Sequence, residues 1–347
     1  MEEGNYIYGI IKTNEKKSFD PCEVGTGEEV YTVTYQDIAC VVCNSPIQDY
    51  SSMLKETLGH FLIGHQTIIE KIMQDHSIIP MKFGTFASND DEVIEVLKRG
   101  YPQFKELLIN MDGKIELDVT ATWNDLNSII KEIGEEDNNI KEFKAEITKK
   151  LPSQTLQDRI KIGMMVKDAL DKRREKEQTH IIGYLKKLTV DFQKHQVKDD
   201  NMILNCAFLL EKAKEPDFDL KLKELDKKYN QKVNFRCVGP LPPYSFATCQ
   251  LKKVGFNKID EAKRLLGLGE ITSLEEIKES YREFAQRNHP DKHTENSQLK
   301  EEFEKVIYAY KLLTSCYQGK DTISEDNKQK TCLPAGRDFI VVEIIRP

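Results

Sequence analysis

Two apolar runs rich in β-branched and aromatic residues open the chain, Tyr6 to Ile11 and Val30 to Asn44, the second ending Ile38-Ala39-Cys40-Val41-Val42-Cys43. Both read as strands of a small sheet. The rhythm then changes to the 3-and-4 spacing of a helix between about Leu54 and His76, where Phe61, Leu62, Ile68, Ile69 and Ile72 recur. A second helix is predicted over Asp90 to Asn110. The turn Met111-Asp112-Gly113-Lys114 leads into strict alternation, with Ile115, Leu117, Val119 and Ala121 on one face of a strand that runs to Trp123. This pattern predicts an α+β domain over residues 1–123.

Charged, periodic sequence follows from Asn124 to about Gln196, where Ile160, Met164, Leu170, Ile181, Leu185, Leu188 and Phe192 form a helical stripe and Pro152 suits a helix start. A β-α-β pattern comes next: a strand at Met202 to Leu210, a helix at Leu220 to Tyr229, and an extended strand at Val233 to Leu251. Pro240, Pro242 and Pro243 interrupt the last of these and mark it as an edge or bulged strand, because proline brings no amide donor to a ladder. Residues 256–318 are wholly helical in pattern, which puts a boundary near Val254. The expected organisation is thus 1–123, 124–254 (a long helix plus a ferredoxin-like β-α-β domain), 255–318, and 319–347. That last stretch is a polar linker ending in the β-branched strand Asp338 to Ile345, which has no partner within a helical module and is expected to return to a sheet.

Composition narrows the function classes. The chain has 347 residues, 31% of them charged, and a formal net charge of -7 with both signs interspersed, which argues against nucleic acid as a partner. No run approaches the roughly 20 apolar residues a membrane-spanning helix needs, and the N-terminal MEEGNYIYGI is acidic where a secretory signal is basic, so no membrane partner and a cytoplasmic location are expected. The eight cysteines are scattered, as reduced thiols would be. Cys40 and Cys43 have the C-x-x-C spacing but point to opposite faces of a strand, and His60, His65 and His76 share no i, i+4 face, so no metal or other cofactor is expected. Gly267-Leu268-Gly269 has no preceding strand and reads as helix-ending chemistry. Neither a Walker-type loop nor a nucleophile elbow nor a paired-carboxylate context is present, and an enzyme is not expected.

The sharpest local signal is His289-Pro290-Asp291. Ser273 and Glu276 form a capping box ahead of Ile277, Tyr281, Phe284 and Ala285 on one helical face. Pro290 ends that helix and pushes His289 out of the α region, so the tripeptide sits on a loop. Beyond it, Phe303, Val306, Ile307, Tyr310 and Leu313 make the facing stripe of a second helix. The whole resembles the J-domain family, with Lys263-Arg264-Leu265-Leu266-Gly267-Leu268 matching the short first helix. The resemblance implies an all-helical J-domain hairpin in which His289, Pro290 and Asp291, with Lys278 and Arg282 as a modest basic face, meet a DnaK-type chaperone. Glu279 and Glu283 dilute that basic face, and no clear fourth helix follows.

The preceding residues resemble the gas-vesicle protein F/L family over about residues 5–251. His65-Gln66 through Glu70, Ile79-Pro80-Met81-Lys82-Phe83-Gly84-Thr85-Phe86, Gly113 to Trp123, Ile162-Gly163 through Arg174, and Arg236 to Phe246 occur in the family's order. Pro80, Phe83, Gly84 and Thr85 in the first signature and Gly239, Pro240, Pro242, Pro243 and Tyr244 in the second are the motif positions. Read without the family, both motifs could be architectural: Gly84 permits a close backbone approach, and 239–243 is a rigid, extended crossing. The resemblance implies a protein associated with the gas vesicle, with the hydrophobic shell subunit and other gas vesicle proteins as partners. Three roles stay open: an assembly factor that also recruits a chaperone, a minor structural component of the vesicle, and a general J-domain co-chaperone with unrelated clients.

Overall fold

The computed structural model describes residues 2–19, 29–149, 156–269, 271–288, 297–318, 331–332 and 339–345. The chain divides into two compact units, Met1–Asp112 together with Ala247–Arg346, and Gly113–Phe246. Sheet domains followed by a helical region confirm the α+β expectation.

In the first unit, β1 (Glu3–Ile11), β2 (Ser18–Phe19), β3 (Val30–Tyr35), β4 (Ile38–Pro46) and β5 (Ile78–Pro80) form a sheet in the order β2-β3-β4-β1-β5, and β6 (Phe86–Ala87) also pairs with β1. The apolar run from Val30 is therefore a hairpin, turned at Gln36 with φ 54°. Helices α1 (Lys55–Met73) and α2 (Asp90–Met111) form where they are expected; of the α1 stripe Ile68, Ile69 and Ile72 are buried, whereas Leu62 faces solvent. Asn89 caps α2 by accepting from Glu92 N at 2.9 Å, while Glu92 Oε2 accepts from Ser88 N. Val93, Val96, Leu97 and Phe104 of α2 bury against Ile7, Ile10, Cys40 and Val42 of the sheet. The two C-x-x-C cysteines are both fully buried.

The second unit contains β7 (Lys114–Trp123), α3 (Leu126–Glu136), α4 (Asn138–Ile147), α5 (Leu156–Leu185), β8 (Asp191–Lys194), β9 (Met202–Glu211), α6 (Glu215–Tyr229) and β10 (Val233–Leu241). Its sheet order is β10-β7-β9-β8 with every pair antiparallel. β7 and β8 therefore run parallel on either side of β9, which is the split β-α-β arrangement of a ferredoxin-like domain. Here β7 corrects the expected boundary at residue 123. It does not close the first domain but sits in the middle of the second sheet, pairing Trp123 with Val233 and Ile115 with Leu210. Alternation along a strand tells which side chains share a face, whereas the choice of sheet is made by partners about 80 to 125 residues downstream. The stripe on α5 is also only half buried: Leu170, Ile181 and Leu185 enter the core, but Ile160 and Met164 are 52% and 63% exposed. Pro152 lies outside the described residues.

The expected single strand from Val233 to Leu251 is instead β10, a short helix α7 (Tyr244–Ala247), and β11 (Thr248–Val254), with the two strands in different sheets. The register of β10 slips between Val238 and Leu241, Gly239-Pro240 is cis, and consecutive prolines at 242 and 243 remove the donors that would continue a ladder. Past β11 come α8 (Phe256–Leu265), β12 (Ile271–Thr272), α9 (Leu274–Asn288), α10 (Ser297–Gln318), β13 (Thr331–Cys332) and β14 (Phe339–Ile345). The first helix of this module starts seven residues before the expected Lys263, because Gly255 at its N-cap, not the apolar cluster 265–268, begins it. Gly267, with φ 64°, ends it. β14 returns to a sheet as its composition predicts, pairing with β11, and β12 pairs with β13.

Candidate functional site

Both sequence signatures become folded features. In the first, β5 and β6 pair with the same strand, Gly9 opposite Pro80 and Tyr6 opposite Phe86, so β1 advances three residues while its partner advances six. The surplus leaves the sheet as a loop over 81–85. Gly84 allows the return with φ 79°, and a Cβ there would stand 3.2 Å from the Tyr50 ring. Hydrogen bonds hold the loop. Met81 N donates to Tyr8 O, Lys82 N to Cys249 O, Gly84 N to Tyr6 Oη and Thr85 Oγ1 to Lys82 O, at 2.9, 2.7, 3.2 and 2.5 Å.

His65 on α1 is the hub behind that loop. Its Nδ1 lies 2.8 Å from Tyr6 Oη, and the ring also hydrogen-bonds the Met81 backbone. Burial pushes its pKa down to about 4, the Met81 bond opposing, so the ring is neutral and offers one donor and one acceptor. With the donor taken by Met81, Nδ1 accepts from the Tyr6 hydroxyl. Around this relay pack Tyr50, Phe61, Phe83 and Phe86, with ring centroids 4.6 Å apart for Tyr50 and Phe83 and 5.1 Å for Tyr6 and Phe86. Beside the loop a cleft of about 710 Å³ is lined by Gln48, Asp49, Lys82, Phe83, Thr85 and Gln250.

The second signature closes over a buried carboxylate. Gly239, with φ 147°, approaches β7 so closely that a Cβ would meet Leu117 Cδ2 at 2.6 Å and Glu116 O at 2.8 Å. Pro242 and Pro243 then direct the chain into α7, where Ser245 donates from N and Oγ to Glu116 Oε2 and Oε1, each at 2.8 Å. His195 Nε2 reaches the same Ser245 Oγ at 3.1 Å. Glu116 is 1% exposed, and burial lifts its pKa to about 8 although both Ser245 bonds oppose the rise. Burial also raises neighbouring Asp118. Sequence reasoning did not pick out Glu116, Ser245 or His195. The one available signal was a glutamate between the apolar residues of a strand; its partner Ser245 is 129 residues away, and Ser245 in turn meets His195 across 50 residues.

In the helical module the capping box forms reciprocally, Ser273 N donating to Glu276 Oε2 at 2.9 Å and Glu276 N to Ser273 Oγ at 3.1 Å. Ile277 is buried against Val306, Ala309 and Leu313, and the Tyr281 and Tyr310 rings stack at 4.2 Å. On the other side of α9, Arg282 is exposed beside Glu279 and Glu283, while Lys278 is half-buried. His289, Pro290 and Asp291 lie outside the described residues. No group of metal ligands occurs among the described residues, and none of their helices is long and apolar enough to cross a membrane.

Comparison with known proteins separates the residues up to 248 from the helical module. The family model for gas vesicle synthesis protein GvpL/GvpF matches residues 4–248. The chain belongs to that family. The DnaJ domain model matches residues 256–318, so the GvpL/GvpF region is followed by a J-domain. Gas vesicle protein F of Nostoc sp. is 25% identical over 258 residues, spanning 71% of this chain and 99% of its own. Gas vesicle protein F1 of Halobacterium salinarum is 22% identical over 249 residues. The chaperone protein DnaJ of Prosthecochloris aestuarii is 39% identical over 51 residues, 15% of this chain. Crystal structures of GvpF from Anabaena sp. and Microcystis aeruginosa share the fold, with TM-scores of 0.62 and 0.57 and identities of 21% and 20%, each over 98% of its own chain.

Proposed function

We propose that this GvpL/GvpF chain is a gas vesicle assembly factor that binds the hydrophobic shell subunit and recruits a DnaK-type chaperone through its J-domain. The observation that carries the reading is the way the J-domain sits in its unit: α10 packs on α8 and on β14, while the side of α9 that bears Arg282 stays open to solvent. A chaperone can reach that helix without displacing α8 or α10. Support for an apolar partner comes from α5, where Leu156, Ile160 and Met164 stand one turn apart on one face at 70%, 52% and 63% exposure. A shell subunit that exposes an apolar face before it polymerises is an aggregation hazard, and a binder joined to a chaperone recruiter limits that exposure. In this reading the protein works in the cytoplasm at the growing vesicle, and its chemistry is binding alone.

The test is stimulation of a DnaK-type ATPase by the purified protein, with and without shell subunit, comparing wild type with His289→Gln. Stimulation lost in the variant supports recruitment. Equal inertness of both proteins rejects it and favours a minor structural component, which would copurify with washed vesicles. Stimulation with unrelated clients but not with shell subunit would favour a general co-chaperone.

A further inference from the structure

The last strand of the chain lies beyond both family matches, which end at residues 248 and 318. Nevertheless β14 pairs with β11 along its whole length, from Thr248 opposite Ile345 to Val254 opposite Phe339, and Lys252 Nζ stands 2.6 Å from Glu343 Oε2. The J-domain helices are thus inserted between the two strands of one antiparallel ribbon, so the module is tied at both ends. Alternation along the ribbon sends its faces to two different cores. Val254 and Val341 are buried among Ile259, Val306 and Leu313 of the J-domain. Cys249, Leu251 and Val342 pack instead with the core of the N-terminal sheet, to which β11 is joined by the bridge between Cys249 and Met81.

We propose that β14 is a mounting strand: it fixes the J-domain in one orientation on the N-terminal sheet, so that a chaperone engaged through α9 is held at a set position relative to the aromatic loop. Only the second half of that statement rests on the chaperone reading above. Without β14 the J-domain keeps one covalent join, at Gly255, Val341 and Val342 withdraw from their two cores, and β11 becomes an open strand edge. A tethered module samples many orientations, whereas a ribbon packed on both faces has one.

The experiment measures the distance distribution between labels introduced by unnatural amino acids at exposed Glu106 on α2 and exposed Glu279 on α9, in dilute full-length protein. Two variants are compared with wild type: a chain ending at residue 332, and full-length Val342→Asp, which puts a charge on the face toward the N-terminal core and leaves Val341 in place. The wild type should give one narrow peak, and both variants should lose it while keeping the helical circular dichroism of the J-domain. If the truncated chain loses that helical signal, Val342→Asp carries the comparison. An unchanged narrow peak in Val342→Asp would overturn the mounting role. ATPase stimulation is measured in parallel: wild-type stimulation that survives in both variants, with less shell subunit kept soluble, supports the positional role, and full solubility despite a lost peak overturns it. Absence of stimulation by the wild type would sink the chaperone reading, while the distance comparison would still decide the mount.

Discussion

Protonating His65 should loosen the loop over 81–85, and the size of the effect follows from its surroundings. The ring is 7% exposed, accepts from Tyr6 Oη at 2.8 Å, and has its pKa lowered from 6.5 to about 4 by burial. Its folded state therefore binds a proton less readily than the unfolded chain. The sign is that of any depressed group: the contribution to stability is complete above pH 6.5 and is lost as pH falls through about 4. Linkage between these two values gives a loss of about 2 to 3 kcal/mol between pH 7.5 and pH 4.5, a rise on the order of tens of fold in the opening equilibrium. The only tryptophan, Trp123, belongs to the other unit, so its fluorescence would not report the event. Amide hydrogen exchange of the peptide spanning 78–87, corrected for the intrinsic pH dependence, does report it. His65→Gln removes the titration and keeps a side-chain acceptor for Tyr6, so its protection should vary much less over the same range. Equal loss of protection in wild type and His65→Gln would refute the argument and assign the acid sensitivity to other groups.

Trp123 fluorescence suits the second unit, because it lies on β7 with Glu116. Glu116 has the opposite sign: its pKa is raised from 4.5 to about 8, so its stabilising contribution is complete below pH 4.5 and is lost as pH rises through 8. In urea unfolding, Glu116→Gln should therefore be more stable than wild type at pH 8.5, and that advantage should shrink or reverse at pH 5. A variant less stable at both pH values would contradict the raised pKa. Gly239→Ala should destabilise the same unit by about 3 kcal/mol or more, since it combines a left-handed φ with a Cβ pressed against Leu117 and the Glu116 backbone. A shift of the urea midpoint worth less than about 1 kcal/mol would mean that β10 and β7 can part there without cost.

How far the sequence reached depended on the range of the interaction. The capping box at Ser273 and Glu276, the alternation of β7, the helix end at Gly267 and the spacing of Ile68, Ile69 and Ile72 in α1 are short-range: the groups that decide them lie within a few residues of one another, so spacing alone identifies them. The same holds for the signatures at 80–86 and 236–246, which can be read as strings although their purpose as folded features cannot.

Tertiary structure decided what depends on distant partners. β7 sits in the second sheet because β9 and β10 offer its two edges hydrogen bonds, which no alternation can announce. His65, set aside as one of three unaligned histidines, becomes the hub of the loop because Tyr6 and Met81 converge on it. Glu116 stays buried because Ser245, 129 residues away, supplies two donors. The C-terminal strand was legible as a strand by its β-branched residues, while its partner was not: a strand's composition reports that its faces will be buried, and only the packed chain specifies that one face goes to the J-domain and the other to the N-terminal sheet.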